Sequence, residues 1–270
     1  MVVQERSMVP TIFVGIGGTG AEILSRLRRL IVDSYGSLEQ LPIVSFLWVD
    51  TDKDYKITNP GAAGPILKSN ERYWSKVSGS QVKEILENMD KFPWIQSWFP
   101  NELEKNMGAM EAGAAQIRPC GRFAFFCNYH DIQKQFKGAA GRIKGKENFM
   151  LERHGVQVAN NKVNVFVVGS MSGGTGSGML LDMGYSVRKW LEGEGSCETT
   201  AVVPMPNSFA GIDVGDRVLA NGYAALMELS YYSDHRTEYS AQFSASLADE
   251  VRYSTPPYDF TYGSICESGS

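Results

Sequence analysis

Apolar residues along the chain fall into short runs separated by stretches of helical period. Residues 11–16, 43–49, 165–168 and 199–203 are compact and rich in β-branched and aromatic side chains, as strands buried on both faces are. Between them, Ile23, Leu24, Leu27, Leu30 and Ile31 recur at helical spacing, and so do Met179, Leu180, Met183, Val187, Trp190 and Leu191. Shorter signals fill the rest. Val82, Ile85, Leu86 and Met89 predict a helix ending before Pro93, and Phe123, Phe126 and Phe136 mark helix after a loop of small residues. Residues 218–232 predict a helix with Leu219, Tyr223, Leu226 and Leu229 on its apolar side, and residues 258–266 a last strand after Pro256-Pro257. Strand and helix alternate throughout, which predicts an α/β fold with a doubly wound, mostly parallel sheet of Rossmann type.

Two of the strands run directly into glycine. One stops in Gly169-Ser170-Met171-Ser172-Gly173-Gly174-Thr175-Gly176-Ser177-Gly178, ahead of the helix that begins near Met179. Glycines let successive backbone N–H groups turn inward, the helix start adds partial positive charge, and the Thr175 and Ser177 hydroxyls offer further donors. Such a loop can cradle phosphate. It is not of the Walker type, because Met179 stands where the P-loop lysine belongs. The other, earlier in the chain, is Gly15-Ile16-Gly17-Gly18-Thr19-Gly20; it fits the dinucleotide fingerprint, with Asp50 closing the next strand where a ribose hydroxyl would be held. A Rossmann NAD(P)-binding oxidoreductase is therefore one reading. A scaffold that binds no nucleotide is another.

The order of the loops resembles the tubulin and FtsZ superfamily, in particular a divergent prokaryotic tubulin-like branch. The run 172–178 is similar to the signature GGGTGSG with Ser172 in place of the first glycine, followed by Gly173, Gly174, Thr175, Gly176 and Ser177. Gly15, Gly17, Gly18, Thr19 and Gly20 match the superfamily's GxGGxG, and Asp50-Thr51-Asp52 resembles its Asn-Thr-Asp loop, carrying Thr51 and Asp52. The small-residue stretch 108–122 resembles the loop that senses the terminal phosphate, with Gly113, Ala114 and Ala115 as backbone donors and Gln116, Arg118 and Arg122 as in the divergent branch. Arg118 reads equally as a phosphate partner or a surface ion pair. Phe209 and Gly211 match the sugar-facing loop, Ala210 replaces its acid, and Asp213 or Asp216 is the substitute. Asn221, with Ala225-Leu226 after it, looks like the central-helix asparagine that reads the guanine edge.

The resemblance implies binding of GTP or GDP with Mg²⁺ and self-assembly into cytoskeletal filaments. Hydrolysis would be completed by acidic residues of a neighbouring subunit, so the isolated chain is expected to turn over slowly or not at all. No catalytic residue is assigned within it. Residues 1–232 are expected to form the GTP-binding domain with its central helix, and 233–270 a linker and the start of a minimal second region.

Composition narrows the partners. With 43% hydrophobic and 21% charged residues the chain is globular, and no apolar run approaches the roughly 20 residues of a membrane span. A net charge of −4 without a basic block gives no reason to expect direct nucleic-acid binding. Four cysteines and three histidines show neither CxxC nor HExxH spacing, so no zinc motif is present and the thiols read as those of a cytoplasmic protein. Expected partners are the protein itself and accessory proteins.

Overall fold

The computed structural model of the chain describes residues 7–57, 67–103, 107–110, 113–209 and 215–264. Its strands are β1 (Ser7–Met8), β2 (Thr11–Ile16), β3 (Val44–Asp50), β4 (Arg72–Trp74), β5 (Gln157–Val158), β6 (Lys162–Gly169), β7 (Ser196–Pro204), β8 (Tyr239–Gln242), β9 (Glu250–Tyr253) and β10 (Phe260–Ser264). The helices are α1 (Gly17–Tyr35), α2 (Gly79–Glu87), α3 (Pro93–Gln96), α4 (Arg118–Cys127), α5 (Tyr129–Arg142), α6 (Glu147–His154), α7 (Gly174–Trp190) and α8 (Asp216–Tyr232).

Six strands form the main sheet in the order β10-β7-β6-β2-β3-β4, every pair parallel. Alternation along the strands sorts the core into two layers. Phe46, Trp48 and Val168 meet Ala21 and Leu24 of α1 on one face. On the other face Ile12, Val14, Leu47, Val49, Val165 and Val167 join the layer of α4, α5 and α7. Phe13 stacks on both Phe46 and Phe166, with ring centroids 5.6 and 5.2 Å apart, which pins the register of the three central strands. The α/β, doubly wound, mostly parallel sheet expected from the sequence is the sheet observed.

The topology fixes where a ligand belongs. From β2 the chain crosses by way of α1 to β3 on one side, whereas from β6 it crosses by way of α7 to β7 on the other. The winding therefore reverses between β2 and β6, which are direct neighbours. Both glycine loops leave the carboxyl ends of these two strands, at the reversal crevice where open α/β sheets hold their ligands.

Helix burial differs from expectation at Leu30 of α1, which is exposed at 62%, and more widely along α8. Leu219, Tyr223 and Leu226 of α8, read as its apolar packing side, are exposed at 49%, 68% and 44%. The inner face instead carries Asn221, Gly222, Ala225 and Leu229. Close approach explains the choice: a Cβ on Gly222 would lie 2.4 Å from the Pro206 ring, so bulk is excluded from that side. The described part of the tail forms the antiparallel hairpin β8–β9 and then returns to the main sheet as β10, paired along β7. The expected final strand is thus present, as the sheet's edge.

Candidate functional site

At the first loop, β2 passes into α1 without an intervening residue. Ile16 is the extended N-cap, no side chain caps the helix, and Gly17 turns the corner at φ +69°. The N–H groups of a first helical turn have no partner within the helix, so they face the crevice. Gly15 and Gly20 have a different task. A Cβ on Gly20 would stand 2.6 Å from the Gly15 carbonyl carbon, so this pair allows helix and strand to touch. Gly18 accommodates the Tyr55 ring, which a Cβ would meet at 2.4 Å. Thr19 is half-buried beside it.

The second loop opens α7 in the same manner, with Gly173 as an extended N-cap and no side-chain cap. The two helix starts converge: a Cβ on Gly17 would lie 3.4 Å from the Gly176 backbone nitrogen. The glycines of this loop serve packing as well. Gly176 abuts the Ser170 carbonyl, and Gly174 abuts Ile117 N and Ala114, each closer than 3 Å to a hypothetical Cβ. Only at Gly173 would a Cβ meet open space among these three.

Both hydroxyls expected to face a phosphate are turned inward. Thr175 Oγ1 shares a buried hydrogen bond of 2.6 Å with Thr51 Oγ1, and Ser177 Oγ donates to the Gly173 carbonyl. The latter is the usual back-bond of a helical serine to residue i−4. Ser172 is the reverse case. Its N–H reaches Ser170 Oγ at 3.0 Å, but its own Oγ is buried without a partner.

The third loop is strained. Gly113 has φ +96°, and Ala115 and Gln116 follow at +47° and +58°, a left-handed pair without glycine. Such residues cost about 1–3 kcal/mol each and persist only when their surroundings fix them. The turn closes through Ile117 N to Ala114 O at 2.8 Å. Arg217 Nη1 donates to Ala115 O at 3.3 Å, and Asn221 Nδ2 donates to Gln116 O at 2.9 Å. Ala115 and Gln116 are themselves exposed.

Asn221 is thus a clamp. The same Nδ2 also donates to Ser172 O at 3.0 Å, so one amide from α8 ties the third loop to the second. The resemblance implied that it reads a base edge; its amide hydrogens here are spent on two carbonyls. Arg118 likewise settles as an ion pair. Its Nη2 lies 2.5 Å from Glu228 Oε2 and 3.2 Å from Ser177 O, linking α4 to α8 and to the glycine loop that opens α7. Arg122 forms a bidentate pair with the buried Asp182 at 2.8 and 3.0 Å.

The acidic loop after β3 completes the ring. Asp50 Oδ1 accepts from Asp52 N at 3.2 Å, Asp52 Oδ1 accepts from Asp54 N at 2.9 Å, and Gly113 N donates to Thr51 O at 3.3 Å. Asp50 is buried, and desolvation pushes its carboxyl up to about 6, against the pull of hydrogen bonds from the Asp52 and Thr51 backbone. Two indoles brace these turns: Trp74 Nε1 donates to Thr51 O at 3.0 Å and Trp48 Nε1 to Gly17 O at 3.1 Å. These braces were not foreseen, although Trp48 shares a strand face with Asp50 by simple alternation. Phe209's side chain, Ala210, Gly211 and Asp213 lie outside the described residues, while Asp216 is exposed in the first turn of α8.

Two uncapped helix starts at a topological reversal, ringed by a small-residue turn and an acidic turn and locked to a long helix, define a doubly wound α/β domain with its loops gathered at one crevice. The sequence profile of the tubulin-like family matches residues 12–268, and the chain belongs to that family. No match was found among curated proteins. Among solved structures the chain is similar to CetZ2 from Haloferax volcanii, a GTPgS-bound protofilament, with 14% identity over 82% of this chain and 46% of that one, at a TM-score of 0.46. CetZ1 from the same organism, a GDP-bound monomer, gives 13% identity over 80% and 46%, also at 0.46. The chain spans a little under half the length of these structures.

Proposed function

We propose that the chain binds a guanine nucleotide by its phosphates and uses it in self-assembly. The carrying observation is the convergence of the α1 and α7 starts, Gly17 against Gly176, with neither helix capped by a side chain. Two helix starts offer several inward N–H groups and two partial positive charges without any lysine. The turn of Gly113, Ala114 and Ala115, which packs on Gly174, would take the terminal phosphate, and Ser172 Oγ, buried and unpaired, is a ready donor. Family membership supports guanine as the base and filament formation as the use.

Mg²⁺ fits this arrangement through Asp52. Mg²⁺ is usually held by one or two carboxylates together with phosphate oxygens and water. Among the described residues no cluster of three or more metal-ligating side chains exists, so the nucleotide would have to supply ligands. The ion would neutralise charge on the phosphates.

The NAD(P) reading leaves the α7 glycine loop without a task, since a single dinucleotide site uses only one such loop. Assembly is supported by Leu219, Tyr223, Met227 and Tyr231, exposed along α8 as an uncovered apolar stripe. Among the described residues no helix is long and apolar enough to cross a membrane.

Titration of the purified protein with fluorescent GTP, with ATP and NAD as competitors, tests the reading. The expected outcome is micromolar or tighter binding that both competitors fail to displace. Displacement by NAD would restore the oxidoreductase; no binding would leave a scaffold. Sedimentation with and without GTP then reads assembly.

A further inference from the structure

Beyond the glycine loops, at the carboxyl ends of β3 and β4, lies a second cavity. Parallel register sets Trp48 beside Arg72 and Asp50 beside Trp74. These four residues, with Tyr55 and Tyr73, line a cavity of 370 Å³. That is within the range of about 300–1,000 Å³ of small-molecule sites, which are commonly aromatic with a few fixed polar groups.

Two polar atoms of this cavity's lining residues are buried without partners, Asp50 Oδ2 and Arg72 Nε. The other ends of both groups are engaged: Asp50 Oδ1 accepts from Asp52 N at 3.2 Å, and Arg72 Nη2 donates to Leu67 O at 2.5 Å. Buried hydrogen-bonding atoms are costly to leave unmade, and here one is an acceptor and the other a donor. An aliphatic ligand would leave both unmet. An organic cation is disfavoured because the aromatic faces already carry charge, with Arg72 5.9 Å from the Trp48 centroid and Lys53 5.4 Å from that of Trp74. A flat, neutral ring with a donor and an acceptor on its edge meets both unpartnered atoms.

We propose that this cavity is a second small-molecule site, taking a purine base or nucleoside. Asp50 accepts from a ring N–H or amino group, Arg72 Nε donates to a ring nitrogen or carbonyl, and the aromatic residues Trp48, Tyr55, Tyr73 and Trp74 wall the cavity around the ring. The cavity adjoins the glycine loops, touching the start of α1 through Tyr55 on Gly18 and Trp48 Nε1 on Gly17 O and sharing the acidic turn, but no residue of either glycine loop lines it.

Tryptophan fluorescence of the full chain, titrated with guanosine and separately with adenosine in the presence and absence of GTP, tests it. The expected result is a saturable change with one of the nucleosides that GTP does not displace. Asp50→Asn puts an amide donor where an acceptor is needed and should weaken binding about tenfold, as one mismatched hydrogen bond does. Should that variant fail to fold, Arg72→Met removes the donor, keeps the stem, and is expected to show a similar loss. The proposal is overturned if neither nucleoside gives a saturable change at millimolar concentration, or if both variants bind like the parent. It is equally overturned if GTP displaces the nucleoside competitively, which would make the cavity the base end of the nucleotide site.

Discussion

The two glycine-rich helix starts, Gly15–Gly20 before and in α1 and Gly173–Gly178 at α7, sit on adjacent strands and are spelled almost alike, yet their glycines are required for different reasons. In the first, glycine serves the turn itself: Gly17 takes φ +69°, and Gly15 and Gly20 let the helix lie on its own strand. In the second, Gly174 and Gly178 serve a neighbour. A Cβ on Gly178 would meet the Arg118 carbonyl at 2.3 Å, and one on Gly121 of α4 would meet the Gly174 carbonyl at 2.2 Å. The α7 loop is therefore half phosphate cradle and half helix-packing surface. Burial agrees: nearly all of α7 is buried, while α1 shows solvent one face along its length.

This contrast breaks most visibly at Gly178. Gly178→Ala forces α4 and α7 apart and is expected to destabilise by about 3 kcal/mol or more, read by denaturant unfolding. If it is tolerated, the packing role assigned to the loop is wrong.

The next effect belongs to the acidic loop opposite α1. Because burial raises Asp50 from 3.8 to about 6, the folded protein holds that proton more tightly than the unfolded chain. The associated stability is fully present below pH 3.8 and is lost as pH rises through about 6. Asp50→Asn removes the buried charge, so its stability relative to the parent should rise over that window, by up to about 3 kcal/mol at pH 7.5. Thermal unfolding of both proteins from about pH 3.5 to 7.5, across the interval between the two values, checks the sign.

Asn221→Ala deletes the two bonds that join the second and third loops. It is expected to cost about 1–3 kcal/mol and to weaken GTP binding about tenfold, since Ala115 and Gln116 lose part of what holds them left-handed. Binding unchanged in that variant would return Asn221 to a purely local role. The smallest effect is expected at Gly173, where a Cβ meets nothing within 4 Å and φ is −82°. Gly173→Ala should change stability by no more than about 0.5 kcal/mol, so any loss of nucleotide binding there would report on the ligand and not on folding.

The fold was legible because its signals are local and repeated. Compact strands at 11–16, 43–49 and 165–168 and helical periods after each glycine loop dictate an α/β sheet, and glycine at two strand ends locates the crevice. What sequence did not show is how side chains spend their hydrogen bonds. Thr175 and Ser177 read as outward donors from their type alone, yet one meets Thr51, distant in sequence, and the other folds back on Gly173. Arg118 was evenly divided between phosphate and ion pair until α8 brought Glu228 against it. For α8 the apolar positions pointed the wrong way, because the pattern cannot register that Pro206 excludes bulk from the inner face.

The central claim is that one nucleotide is held by both helix starts at once. Amide hydrogen exchange with and without GTP reads this directly, following peptides that cover residues 15–19, 113–117 and 172–176. GTP is expected to slow exchange at all three together. Slowing at 15–19 alone, reproduced by NAD and absent at 172–176, would contradict the account.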